Sequence, residues 1–409
     1  MAARNRIGRY ENPYLTVGWQ REPPGGTVCE PFQLVTQDRA LCDGWLYRKG
    51  GEDSVVCVMH PRANFSHHYL VPALVEAGFA VFCQNSRWVG NDSTLVHEVL
   101  LLDVAAGVGA MRERFDRVVL LGNSGGGSLY TFYLSQALAA EGERHPDTPA
   151  GDPFDLNRFE LPPADQMIYL AAHPGEGFFL QTAIDPSVVD ESDPVACDSA
   201  LDMFDPANGF AEPPDPSHYA PEFVERYRAA QLDRIDRIDA LARQRIDRRN
   251  QARQHAASGG GASDRRSAIA SEYLVIYRTE ADLRCTDPTL DPSARDYGSL
   301  FTRRPDLSNY GALGFARVLT PEAWLSTWSG RASRAEIPET GPRMTLPALV
   351  LGYTGDNGIF PSDTDRIAAA LASSDLERAW ADGDHYGLPA ERGREPALQT
   401  VIDWLRRKA

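Results

Sequence analysis

The stretch that most constrains this chain is Arg117-Val-Val-Leu-Leu-Gly122-Asn-Ser124-Gly-Gly126-Gly-Ser-Leu129. A β-branched and leucine-rich run bounded by glycine reads as a buried strand, and the alanine- and aromatic-rich segment Leu129 to Ala140 reads as a helix. Between them sits Gly-x-Ser-x-Gly. A serine on a sharp strand-to-helix turn has strained φ/ψ, so small neighbours are needed where a Cβ would collide with adjacent backbone. Ser124 Oγ then stands clear of the sheet edge. The helix behind it aims free N–H groups and a positive dipole end at negative charge developing beside the serine. A phosphate loop or a plain tight turn can carry the same pattern, and the rest of the chain has to choose among them.

At 409 residues the chain is long for one compact domain and leaves room for one large insertion. Its 43% hydrophobic and 24% charged residues are ordinary for a soluble globular protein. A net charge of −16 argues against a nucleic-acid or membrane partner. Arginine supplies nearly all the positive charge, Lys49 and Lys408 being the only lysines, which reads as coding bias more than a binding device. The segment Met1 to Tyr14 is polar, and no apolar run approaches membrane-spanning length, so a cytoplasmic protein is expected. The six cysteines show no C-x-x-C pairing. Cys57 and Cys83 fall inside expected core strands, and all six read as reduced thiols.

In chain order, Phe32 to Asp38 and Leu41 to Arg48 read as a β-hairpin turning at Gln37-Asp38-Arg39. Ser54 to Met59 is a continuous apolar run, as expected of a parallel strand buried on both faces. Tyr69 to Ala77 has helical spacing, Phe79 to Cys83 is the next strand, and Leu95 to Phe115 is an amphipathic helix. Met167 to Ala172 is one more strand, ending at Ala172-His173-Pro174-Gly175. From about Glu176 to Met344 the strand-helix alternation stops. That region holds a long helical segment from Pro221 to about His255, with a narrow stripe of Leu232, Ile235, Ile238, Leu241 and Ile246. It reads equally as a lid helix or a packing helix. Ser258 to Ser263 is expected to be flexible. Alternation resumes with strands at Leu346 to Leu351 and Glu377 to Ala381 and helices at Pro361 to Ser373 and Glu395 to Arg406.

An acyl-transfer serine needs a base within hydrogen-bond reach and a carboxylate to fix the base's tautomer. Asp356 follows the strand Leu346 to Leu351, and His385 follows the next one. All three candidates therefore come after carboxyl ends of parallel strands, where open α/β sheets place their sites. Their order is Ser, Asp, His.

With these motifs in place, the chain resembles the α/β-hydrolase superfamily, in its branch with a serine nucleophile elbow, over roughly residues 30 to 175 and 345 to 409. The resemblance implies a mostly parallel central sheet with helices on both faces and a large, mainly helical cap insertion. The implied division is a lead-in at 1–30, a first core part at 31–175, a cap or lid at 176–344 and a second core part at 345–409. It carries the nucleophile over to Ser124, the base to His385 and the acid to Asp356, and it implies no cofactor and no metal. Its oxyanion hole would use the backbone N–H of Gly125 and one from the loop after His60. That loop usually reads His-Gly; here it is His60-Pro61, and proline has no N–H. Arg62 then matches the donor position, with Ala63 as alternative. The loop Gln84 to Ser93 resembles the family's Asp-x-Arg-Gly-x-Gly-x-Ser turn, keeping Arg87 and Ser93, and is expected to be structural.

Other residues compete for roles. Ser128 is expected to pack or to bond back to a carbonyl. Asp382 and Asp384 lie too near His385 in sequence to orient it, whereas Glu176 is a rival to Asp356 as the acid. His60, His67 and His68 match no zinc spacing. His60 reads as structural, and His67 or His68 as a substrate contact. Trp324 and Trp328 are anchors for a lid pocket or for ordinary packing.

The expected activity is serine-dependent hydrolysis of a carboxylic ester or lactone, through an acyl-enzyme. A large lid with aromatic residues favours a bulky, largely apolar small-molecule substrate, aromatic or polyketide-like. Carbon–carbon bond hydrolysis of a ring-cleavage product, acyl transfer and peptidase activity are alternatives on the same fold. A non-catalytic ligand receptor is the alternative from another class. The stripe on Pro221 to His255 could also serve a homo-oligomer contact.

Overall fold

The computed structural model describes residues 17–19 and 21–408; the first sixteen residues of the expected lead-in, Met1 to Tyr14 among them, lie outside the described residues. Strands β1 (Val28–Val35) and β2 (Leu41–Arg48) form the antiparallel hairpin. β1 starts ahead of the expected Phe32 because it is an edge strand, where Pro31 is tolerated. Then come β3 (Ser54–His60), β4 (Ala80–Asn85), β5 (Arg117–Asn123) and β6 (Gln166–Leu170). β7 (Leu274–Val275) and β8 (Val318–Leu319) pair in a separate ribbon, and β9 (Ala348–Tyr353) and β10 (Leu376–Ala381) complete the main sheet. Its order is β1-β2-β4-β3-β5-β6-β9-β10, antiparallel at β1/β2 and β2/β4 and parallel elsewhere.

The longer helices are α1 (Val71–Glu76), α2 (His97–Arg112), α3 (Gly125–Ala137), α4 (Glu176–Ala183), α5 (Pro221–Ala257), α6 (Ala262–Ser267), α7 (Pro361–Ala370) and α8 (Arg394–Arg407). Successive strand residues point to opposite faces, so each apolar strand feeds two cores. Val55, Cys57 and Met59 of β3 and Val118 and Leu120 of β5 pack with α2, α3 and α7. Val56, Val58, Val119 and Leu121 pack with α1 and α8 on the other face.

Residues 176–344 stand apart from this alternation. Their main element is α5, which begins with Pro221 at its first turn. Ile235, Ile238, Ala242 and Ile246 are buried against Leu180, Leu274, Trp324 and Trp328. Between them Arg234, itself fully buried, donates to the carbonyls of Asp185 (2.6 Å) and Tyr277 (2.9 Å) and pairs with Glu191. At 258–263 the chain forms a tight turn: Gly259 takes φ +93, Gly260 N–H donates to His255 O, and α6 begins at Ala262.

The insertion is also tied to the start of α2. Val96 stands at the N-cap and has no side-chain oxygen to offer. Ser326, from a π-helical turn at Trp324–Trp328, accepts the His97 N–H at 2.8 Å through Oγ and donates to Glu98 Oε2 at 2.7 Å. Thr327 Oγ1 donates to Leu95 O at 3.0 Å. Among the described residues no helix is long and apolar enough to cross a membrane.

Candidate active site

Ser124 sits between β5 and α3 with φ +55 and ψ −124, a conformation that L-residues adopt only under strain. The flanking glycines make it possible. A Cβ on Gly122 would lie 2.5 Å from Gly127 Cα, one on Gly126 would run into Met59 O, and one on Gly127 into Ala172 Cβ. Behind the turn, Asn123 donates to Leu170 O (2.8 Å) and meets His68 Nε2 (3.1 Å). Ser128 Oγ bonds back to Gly125 O at 3.2 Å.

Ser124 Oγ lies 3.1 Å from His385 Nε2, and His385 Nδ1 lies 2.8 Å from Asp356 Oδ2. His385 and Asp356 are each 2% exposed. Asp356 Oδ1 accepts the N–H groups of Gly358 (2.8 Å) and Ile359 (2.9 Å), which fixes the carboxylate and leaves Oδ2 for the imidazole. The series can pass the Ser124 proton to His385 and hold the resulting imidazolium beside Asp356. Asp382 accepts from Thr354 Oγ1, and Asp384 accepts the N–H groups of Tyr386 and Leu388, so neither reaches the ring.

Glu176 is engaged elsewhere. At the start of α4 it is fully enclosed, and both its oxygens lie 2.5 Å from Arg62 Nη1. The Arg62 guanidinium also lies 3.6 Å from Asp92 and stacks over Trp328 at 4.5 Å and Phe315 at 5.3 Å.

These residues surround a cavity floored by Ser124 and walled by Ala63, Phe65, Phe179, Leu300, Phe315, Trp328, Ile359 and Tyr386. Phe179, Leu300 and Phe315 also wall a second cavity, lined in addition by Glu280, Cys285 and Phe360. Arg62 and Phe315 face outward as well, onto an open cleft between 90–93 and 314–318. No residue of α5 lines either cavity; the helix braces the insertion from behind.

Several expectations are corrected. His68 is fully buried and lies behind the elbow with Leu70 N–H on its Nδ1, and His67 is exposed and packs edge-on against Trp19. Neither lines the cavity, because the loop after β3 turns them away from it. Trp324 is core: its Nε1–H donates to Asp239 at 2.6 Å inside the insertion, while Trp328, one π-helical turn on, reaches the cavity. The backbone N–H of Arg62, expected beside Gly125 N–H, is directed at His60 Nδ1 (3.2 Å), as is that of Ala63 (3.0 Å). Arg87 is structural, bonded to Asp38 and Asp103, and Gln84 donates to Asp103 O.

His60 and His173 were not expected at the site, yet both line the cavity. A Cβ on Gly125 would lie 2.9 Å from His60 Nε2 and 3.2 Å from His173 Nε2. The signal was a repeated His-Pro step, at 60–61 and 173–174, after the two strands that flank β5. Burial pushes both histidines well below the usual imidazole range, His173 to about 3, and the Arg62 guanidinium adds to the effect.

No family model and no curated protein matches the sequence. Among solved structures it is similar to hypothetical protein PA2218 from Pseudomonas aeruginosa (12% identity, 97% of this chain and 98% of that one, TM-score 0.47). It is also similar to DcsB in complex with its substrate analogue (10%, 93% and 100%, 0.48) and to the α/β hydrolase GrgF from Penicillium sp. sh18 (12%, 93% and 98%, 0.47). The chain's own strand order, its elbow after β5 and its loops after β9 and β10 define the architecture: this is an α/β-hydrolase fold.

Proposed function

We propose that the protein is a serine hydrolase that cleaves a carboxylic ester or lactone bond of a bulky, largely apolar small molecule. The observation that carries this reading is the unbroken series from Ser124 Oγ through His385 to Asp356, set on a strained elbow at the floor of an apolar cavity. Ser124 attacks the carbonyl carbon as His385 Nε2 takes its proton. Collapse of the tetrahedral intermediate expels the alcohol, which receives that proton. Water, deprotonated by His385, then releases the acid.

The aromatic and aliphatic wall supports an apolar acyl or alcohol group, and the second cavity behind Phe179 supports a long one. A fluorophosphonate probe tests the reading. Stoichiometric labelling mapped to Ser124 and absent from Ser124→Ala is the expected result; folded, unlabelled protein that turns over no ester would overturn it. Adding a competing alcohol to an ester assay distinguishes hydrolysis from acyl transfer, with free acid as the expected product.

A further inference from the structure

The loop after β3 has a shortage of donors. Pro61 has no N–H, and the N–H groups of the next two residues both point at His60 Nδ1. Gly125, the first residue of α3, keeps a free N–H at the helix start, because no intrahelical acceptor exists there. One donor alone would face the oxyanion of a tetrahedral intermediate.

His60 is placed to make up the difference. Two N–H groups on Nδ1 require a lone pair there, so a neutral ring carries its proton on Nε2. The Cβ direction of a helical residue tilts toward the helix N-terminus, the side on which the first N–H is free. His60 Nε2 lies 2.9 Å from the Cβ position of Gly125, and His60 lines the cavity beside Ser124. His60 is 4% exposed, and burial, with Arg62 the largest of the neighbouring charges, keeps its ring neutral; His173 and His385 act in the same sense. Glu176 Oε1 lies 2.8 Å from the same point, but its charge is matched by Arg62.

We propose that His60 is a further catalytic residue, whose Nε2–H joins Gly125 N–H as the second oxyanion donor in place of a backbone N–H from the loop after β3. This rests on the serine-hydrolase reading. When Ser124 Oγ bonds to the carbonyl carbon, the C=O π pair moves onto oxygen and the Oγ proton goes to His385. His60 lends a hydrogen bond to that oxygen and transfers no proton. As the C=O bond re-forms, the hydrogen bond weakens and the leaving alkoxide takes the proton from His385.

Two isosteric variants separate this role from holding the loop. In His60→Asn the amide oxygen can replace Nδ1 as acceptor, but no donor reaches the Nε2 position; in His60→Gln the amide N–H reaches it. With p-nitrophenyl butyrate as probe, His60→Asn is expected to lose about 10²- to 10³-fold in kcat with KM changed less than about threefold, and His60→Gln to retain activity within about tenfold of wild type. Because the donor is neutral, neither variant is expected to move the pH profile of kcat. A His60→Asn enzyme as active as wild type would overturn the proposal, as would equal losses in both variants or a loss appearing only in His173→Asn.

A second measurement needs no variant to fold. In ¹⁵N-histidine-labelled wild type, the His60 Nε2–H resonance is expected to move downfield when an aliphatic trifluoromethyl ketone adds to Ser124, and an unmoved resonance overturns the proposal. If wild type is neither labelled by fluorophosphonate nor active on the ester, the serine-hydrolase reading itself falls and the inference falls with it; labelled wild type with an indifferent His60 defeats the inference alone.

Discussion

Arg62 Nη1 lies 2.5 Å from both carboxylate oxygens of Glu176, one residue at the mouth of the loop after β3 and the other at the first turn of α4, so that core and insertion meet through a buried ion pair. The carboxylate has no solvent exposure and the guanidinium side chain 11%. Removing one partner strands the other without compensation. Arg62→Met is therefore expected to cost about 3–5 kcal/mol in urea unfolding, with Arg62→Met/Glu176→Leu recovering most of it. A single variant as stable as wild type would contradict this.

Ser124 is held at φ +55 by its surroundings, at a cost of about 1–3 kcal/mol. Glycine adopts that conformation without strain. Ser124→Gly is expected to abolish ester hydrolysis while raising stability by about 1 kcal/mol, less than the full strain because glycine also loosens the unfolded chain. Calorimetry on both proteins gives the comparison.

At Gly126 the obstacle is backbone, since an added Cβ would meet Met59 O and no rotamer change can relieve it. Gly126→Ala is expected to destabilise by about 1–3 kcal/mol and to slow fluorophosphonate labelling sharply. Gly25→Ala, with open space around it, is expected to do neither.

Burial raises the Glu336 carboxyl from 4.5 to about 8, partly offset by the N–H of Phe178. A folded-state value above the unfolded one means that the folded state binds the extra proton. The stabilisation is complete below about pH 4.5 and is lost as pH rises toward about 8. Relative to wild type, Glu336→Gln is expected to remove a fall in stability across that window. Denaturation at pH 4.5, 6 and 8 measures the difference, and parallel curves would refute it.

Phe179 and Phe315 each belong to the walls of both cavities. Truncating Phe179 to alanine joins the two spaces. The ratio of kcat/KM for p-nitrophenyl octanoate over butyrate is expected to rise about tenfold or more, since each methylene seated in an apolar pocket contributes on the order of 1 kcal/mol. An unchanged ratio would mean that the acyl chain lies elsewhere.

Much of the core was legible because its strands are buried on both faces. β3, β4 and β5 read as apolar runs, and the residues that meet at the site come from loops whose position follows from strand order alone. Asp356 and His385 are found that way. The insertion follows no such rule. Arg234, Arg278 and Asp185 look like surface residues in sequence, yet they are buried, Arg234 bonded to carbonyls and Arg278 paired with Asp185, a pairing that local pattern does not encode. The same holds at single positions. Trp324 and Trp328 are four residues apart in an aromatic-rich segment, and only the widened π-helical turn decides that one faces core and the other the cavity. His68 reads as an active-site histidine but is turned behind the elbow, whereas His60, read as structural, lines the cavity.

The bond from Ser326 to the first turn of α2 bears on modularity. The core helix borrows its N-terminal cap from a segment more than two hundred residues later in the chain. A shortened chain made by deleting 176–344 would not be a bare α/β core with an open pocket. It would leave α2 uncapped, expose Glu98 and remove Glu176 from Arg62, so trimming the insertion undermines the sheet layer beneath it. Replacement segments grafted here need to bring a hydroxyl of their own to His97.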